Sequence, residues 1–294
     1  MIKIGREEGM SDFGGSVKSS GDYEFAILGV PFDEKSSFLR GAASGPSAVR
    51  MASTGAAINP WTELGVNLAE ETTVADLGDI DVSEGFPPAF QRITEGVAGI
   101  LKKKAFPVII GGDHSISYPV VRALSQFYKP LDILHFDAHP DLYEEYEGDR
   151  FSHACPFARI LEEGLVDNLV QVGIRAAVGA NRALAEKYGS TMIEMKDMDK
   201  IPKLGFLNPL YVSVDIDVLD PAFAPGVSHH EPGGLSTREL IHVIHGLSAR
   251  IIGMDLVEVN GERDASGITA AAGVKIIMEV MGKAVFSRRK KEES

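Results

Sequence analysis

Cysteine is almost missing from this chain. Cys155 stands alone among 294 residues, so no intramolecular disulfide braces the fold. Long hydrophobic runs are missing as well, and no apolar stretch reaches the length that spans a bilayer. Basic charge is in deficit. Lys and Arg number 29 against 42 Asp and Glu, a formal net charge of −13. That balance argues against nucleic acid or an anionic membrane surface as the main partner and is compatible with a cationic substrate. The first residues, MIKIGREEGMSDFGG, hold no apolar core behind a basic start. They read as no secretory signal, and a cytoplasmic location is the expectation. No internal repeat is visible.

What is present suits one large α/β domain. Hydrophobic residues make up 44% and charged residues 24%, ordinary values for a soluble globular chain. Residues 1–20 are Gly- and Ser-rich and read as a loose arm, 21–287 as a single domain, and 288–294 as a solvated charged tail. Within the domain, apolar runs at 24–30, 107–111, 131–136, 168–174, 192–195, 210–218 and 250–257 read as strands. They alternate with helical periodicity at 86–104, 118–127, 156–163, 180–188, 237–247 and 268–285. This alternation predicts a mainly parallel sheet with helices on both faces. VADLGDI at 74–80 could be an edge strand, but Gly78 between two aspartates favours a turn.

Three of the strands end alike. LDILHFDAHPD runs out of an apolar stretch into Asp137, His139 and Asp141, two residues apart, so that an extended chain aims all three to one side. PVIIGGDHS ends in Asp113 and His114 after Gly111 and Gly112, which allow a sharp turn and close approach. LYVSVDIDVLDP carries Asp215 and Asp217, again two apart. A single aspartate past a strand can be a cap or a turn residue. The same device repeated three times, at strand ends where open α/β sheets place their sites, points instead to carboxylates neutralised by cations. His114, His139, Asp137, Asp141, Asp215 and Asp217 form a hard, oxygen-rich set without thiolate, suited to Mn²⁺ rather than structural zinc. Six donors are too many for one ion with an open position and suit two.

GGDHS, FDAHPD and SVDIDVLDPAFAPG resemble the signature motifs of the arginase/agmatinase (ureohydrolase) family, and the likeness runs from about Phe25 to about Phe286. FSHACPFARI and APGVSHHEPGGLS are most similar to the plant-type arginases and their prokaryotic relatives. The resemblance implies a three-layer α/β/α sandwich with about eight strands, assembled as a homotrimer or homohexamer. It implies two Mn²⁺ per subunit, with Ni²⁺ or another divalent ion as the alternative. His114, Asp137, Asp141 and Asp215 would hold one ion, and Asp137, His139, Asp215 and Asp217 the other. The pair would acidify a water that attacks a guanidinium carbon, releasing urea and an amine. Asp141 would also relay a proton to the leaving amine. Glu258, in DLVEVN, matches the carboxylate that binds the guanidinium; Gly261 departs from the proline common there. His153 matches a histidine at the mouth of the site, a proton shuttle or substrate contact, with Ala154 where glycine is commoner.

The motifs specify the guanidino group better than its tail. Asp149 stands where plant-type arginases show Asn, and as a substrate-side carboxylate it would repel the carboxylate of arginine. Agmatine is therefore the expected substrate, with arginine, guanidine or a guanidino acid as alternatives. From other classes, a metal-dependent amide deacetylase and a non-catalytic scaffold remain as contrasts. Both are disfavoured by the complete ligand set. Asp33 and Arg40 read as loop anchors as readily as contacts, Cys155 as a packing residue, and His135, His229, His230, His242 and His245 receive no role.

Overall fold

The computed structural model describes residues 4–5, 13–14, 22–54, 58–200 and 204–292. Eight strands run parallel: β2 (Phe25–Gly29), β3 (Val74–Ile80), β4 (Phe106–Ile110), β5 (Asp132–Phe136), β6 (Asn168–Ile174), β7 (Thr191–Glu194), β8 (Leu210–Asp215) and β9 (Ile251–Val257). A two-residue strand, β1 (Ile4–Gly5), adds antiparallel to the β3 edge, giving the order β1-β3-β2-β4-β9-β8-β5-β6-β7. Among the described residues the α-helices are α1 (Gly45–Ser53), α2 (Leu68–Glu71), α3 (Pro88–Lys102), α4 (Ser117–Leu124), α5 (Pro156–Glu162), α6 (Gly179–Tyr188), α7 (Thr237–Gly246) and α8 (Ile268–Glu292).

Side-chain alternation along the central strands creates two cores, one on each face. Val108, Ile110, Leu134 and Phe136 pack with Val49 of α1, Leu240 and Ile244 of α7, and Val274 and Ile277 of α8. Ile109 and Ile133, from the same strands, pack with Ile93 and Val97 of α3, Val120 of α4 and Phe157 of α5. The result is the expected three-layer α/β/α sandwich.

Two local expectations fail. Residues 74–80 form strand β3 rather than a turn. Gly78 takes φ 80° inside it, and the register with β2 slips there, from Ile27↔Asp76 to Gly29↔Asp79. The bulge turns both aspartates onto Arg50 of α1, which is 1% exposed: Nε lies 2.8 Å from Asp76 and Nη1 2.6 Å from Asp79. A turn signal in the sequence is thus a bulge held by a buried ion pair. The second concerns the ends. Residues 288–292 continue α8, with Arg288 paired to Glu24 and Arg289 to Glu71. Of the predicted N-terminal arm, Phe13 is buried and its N–H donates to Asp76 at 2.9 Å. The rest of that arm, apart from β1 and Gly14, and the last two residues lie outside the described residues.

Candidate metal centre and substrate cavity

The strand order gathers what the sequence keeps apart. β4, β9, β8 and β5 are neighbours at the centre of the sheet, and their paired ends are level: Ile110↔Leu256, Leu256↔Val214 and Val214↔Phe136. His114 follows β4, Glu258 follows β9, Asp215 ends β8 with Asp217 in the turn after it, and Asp137, His139 and Asp141 follow β5. All reach the carboxyl edge together. After β4 the chain is pulled tight. A Cβ on Gly112 would sit 1.9 Å from the Phe32 carbonyl oxygen, and the Asp113 N–H donates to that oxygen at 2.8 Å. Gly112 therefore serves a backbone-to-backbone approach that a side chain would block.

His114 Nδ1 lies 3.1 Å from Asp137, 3.0 Å from Asp141 and 3.2 Å from Asp215. It is buried and makes no hydrogen bond. Ser213 explains its state. The Ser213 hydroxyl donates its one proton to Asp255 Oδ1 at 2.7 Å, so toward His114 Nε2, 3.0 Å away, it can only accept. Nε2 carries a ring proton, and Nδ1 is the atom that faces three carboxylates; burial lowers the ring's basicity, but Asp137, Asp141 and Asp215 raise it well above the ordinary value. Such a buried, orphaned donor among hard oxygens fits a divalent cation. The second group is Asp137, His139 and Asp217, with His139 Nδ1 3.0 Å from Asp217. In each group the ligating atoms lie within 4.8 Å of one another, and Asp137 belongs to both. Asp215 falls in the first group alone, where the resemblance shared it between the two ions.

The electrostatics record the crowding. Burial, then Asp217 and Asp137, push the Asp215 carboxyl well above its ordinary range. Burial and Asp137 push Asp217 up. Burial would raise Asp137 too, but His135, His114 and His139 hold it well below. Groups this strongly perturbed in a cleft are what a functional site looks like.

A cavity of about 150 Å³ opens above the cluster, lined in part by Tyr143, Tyr146, His153, His229 and Glu258. His153 Nδ1 lies 2.9 Å from Glu258 Oε1, which also accepts the His114 N–H at 3.0 Å. Burial lowers the basicity of His153, and the charge of Glu258 beside it acts to raise it above the ordinary value. Burial would raise Glu258, and His153 holds it low. Asp141 and Glu258 are two of five non-glycine residues with positive φ among the described residues, at 47° and 63°. Strained backbone at both faces of the cavity is the kind of local cost that sites carry.

Asp149 does not behave as expected. It is absent from the cavity lining, and its carboxylate lies 2.8 Å from Lys35 Nζ. An acidic residue neutralised by a neighbouring lysine cannot repel a substrate carboxylate, and the argument for agmatine falls with it. Three functional neighbours escaped the sequence. His135, given no role, donates from Nε2 to Asp137 at 2.8 Å while its Nδ1 accepts from Gln171. Asp255 accepts from Ser117, Tyr211 and Ser213. His229 lines the cavity opposite His153, ring centroids 5.4 Å apart. An aspartate inside the apolar run RIIGMDLVE was the one available signal, for Asp255.

A parallel α/β fold with a buried histidine–aspartate cluster beyond its central strands defines a class, the hydrolases that work with divalent cations. The comparisons narrow it. Residues 23–282 match the model of the arginase family. Arginase 1, mitochondrial, of Arabidopsis thaliana is 42% identical over 274 residues, spanning 88% of this chain and 80% of its own length. Agmatinase, mitochondrial, of Gallus gallus is 35% identical over 282 residues, spanning 87% and 79%. The solved structure of arginase from Medicago truncatula superposes with a TM-score of 0.84 at 40% identity, covering 90% of this chain and 89% of that one. The chain belongs to the arginase family and is an enzyme of the ureohydrolase class. The cytoplasmic expectation is overturned, since the relatives named above from Arabidopsis and Gallus are both mitochondrial by name. It rested on reading no secretory signal, which does not distinguish the cytosol from an organelle's interior.

Proposed function

We propose that this chain hydrolyses the guanidino group of a small substrate to urea and an amine, with L-arginine ahead of agmatine. The observation that carries the reaction is Glu258. It is buried at the cavity wall beside the cation cluster, with Oε1 engaged by His153 and His114 and Oε2 without a partner among the described residues. A planar guanidinium needs such a carboxylate edge. The preference for arginine rests on the arginase names of the relatives at 40–42% identity and on the loss of Asp149 as a repelling charge.

His114, Asp137, Asp141 and Asp215 would hold one cation, and Asp137, His139 and Asp217 the second, with Mn²⁺ the proposed ion for this hard donor set and Ni²⁺ the alternative. When bound, the cations supply Lewis acidity and lower the pKa of water at neutral pH. The remaining work belongs to side chains. Glu258 holds and orients the guanidinium. Burial of its carboxylate strengthens that contact, because water is excluded from the pair. Asp141 faces the same cavity and can pass a proton to the departing amine, and His153 can exchange protons between that amine and the cavity mouth. Residues 21–287 are proposed to act as one domain, in a homotrimer or homohexamer. Urea release from Mn²⁺-loaded protein, with arginine, agmatine, guanidinobutyrate and guanidine side by side, tests the reading. Arginine far ahead supports it, agmatine ahead refutes the preference, and no urea from any of them refutes the reaction.

A further inference from the structure

The segment between β2 and α1 crosses over the cavity, and one of its residues touches the catalytic dyad. The Ser37 backbone N–H points at His153 Nε2 from 3.2 Å, and the Ser37 hydroxyl lies 2.8 Å from the same atom. A hydroxyl can donate or accept. A backbone N–H can only donate. Nε2 must then be an acceptor, the ring proton must sit on Nδ1, and Nδ1–H must donate to Glu258 Oε1 at 2.9 Å. The segment is not free to move away from this contact. Lys35 N donates to Asp113 Oδ2 at 2.9 Å, Lys35 O accepts the His153 N–H at 3.2 Å, and Lys35 Nζ pairs with Asp149.

The arrangement opposes the charges around it. Burial opposes a protonated His153, while Glu258, Asp141 and Asp113 all favour it; the His229 ring faces it across the cavity. An imidazolium beside Glu258 would meet an incoming guanidinium as cation against cation. It would also turn an Nε2–H toward the Ser37 N–H.

We propose that Ser37 is a positioning residue for guanidino hydrolysis: its amide and hydroxyl hold His153 as the neutral Nδ1–H tautomer, so that Glu258 stays available to a cationic substrate. The proposal rests on the roles given above to His153 and Glu258, and it extends them to a residue at the cavity wall that lies outside the cation cluster. Its chemistry is tautomer selection, with no bond made or broken.

The test is spectroscopic first. Protein labelled with ¹⁵N-histidine and loaded with diamagnetic Mg²⁺ is read by two-bond ¹H–¹⁵N correlation at pH 7.5, with His153→Asn identifying the signals. A protonated Nδ1 and a bare Nε2 are expected at His153. An imidazolium pattern, or a proton on Nε2, overturns the proposal even if urea is released normally. Kinetics on Mn²⁺-loaded enzyme follow. Ser37→Ala, which keeps the amide but loses the hydroxyl, is expected to lower kcat several-fold, and Ser37→Thr to restore it. Equal kcat in all three proteins would overturn the role of the hydroxyl. The expected tautomer in a protein that releases no urea would uphold Ser37's hold on the ring and remove the functional reading instead.

Discussion

Replacing Asp255 tests whether the cation cluster depends on a residue that never touches it. Asp255 is fully buried in β9, and its two oxygens accept from Ser117 Oγ at 2.7 Å, Tyr211 Oη at 2.9 Å and Ser213 Oγ at 2.7 Å. Asp255→Val keeps the volume close and removes every acceptor. Ser213 can turn its proton to His114, but Tyr211 and Ser117 are left buried. At about 1–3 kcal/mol for each unsatisfied group, the loss is about 2–6 kcal/mol, or on the order of 10 °C in melting temperature. Asp255→Asn keeps an oxygen for Ser213, and the two hydroxyls can rotate to accept from its amide, so about 1 kcal/mol is expected. The functional consequence is separate. Once Ser213 donates to Nε2, the ring proton of His114 is driven to Nδ1, the atom that faces Asp137, Asp141 and Asp215. Affinity for Mn²⁺ should fall by about 10–100-fold, as when other outer partners of ligating histidines are removed. Thermal unfolding of the metal-free proteins measures the first effect and calorimetric titration with Mn²⁺ the second. An Asp255→Val protein that binds Mn²⁺ as tightly as the parent would refute the tautomer assignment at His114.

Three further outcomes follow from the same geometry. Glu258→Gln should retain Mn²⁺ stoichiometry by metal analysis yet lose about 2–5 kcal/mol in kcat/KM for urea release, the cost of removing one partner of a buried charge-assisted pair; activity within threefold of the parent would sink the assignment. Cys155 is fully buried, and burial followed by Asp141 pushes its thiol up to about 12, so iodoacetamide at pH 8 should leave the native protein unmodified by mass spectrometry and label it only after unfolding. Glu63 is held down to about 2, first by Arg238 and also by Lys275. Its folded pKa lies below the ordinary value of 4.5, so its contribution is present above pH 4.5 and disappears as the pH falls toward 2. The melting-temperature gap between the parent and Glu63→Gln should therefore close across that window, and a gap that widens on acidification would contradict it.

Much of the site was readable from local spacing. Period-two aspartates past an apolar run give the same placement wherever the strand goes, so Asp137, His139, Asp141, Asp215 and Asp217 converge as expected, and His114 joins them. Alternation of strand and helix carried the layer architecture for the same reason, since a buried parallel strand and an amphipathic helix each declare themselves within about ten residues. Whatever depended on a partner distant in sequence did not show. Gly78 between two aspartates is a turn in isolation; only Arg50, 26 residues before Asp76, makes it a bulge in a strand. Asp149 looks like a free negative charge until Lys35 arrives from 114 residues away. SRRKKEES reads as a tail beyond the last helix, whereas its arginines, still largely solvated, extend α8 and pair with Glu24 and Glu71.

The sequence by itself determined that this chain builds a parallel α/β sandwich and brings hard donor atoms to the ends of its strands, because period-two spacing and apolar runs act through the local backbone. Tertiary structure alone decided that β9 lies between β4 and β8. That insertion places Asp255 beneath Ser213 and His114, and Glu258 beside His153. It is also the fold that brings Ser37 over the His153 ring. Hydrogen-bond direction is a property of pairs, and which nitrogen of a histidine carries its proton is fixed by a neighbour that the order of residues does not reveal.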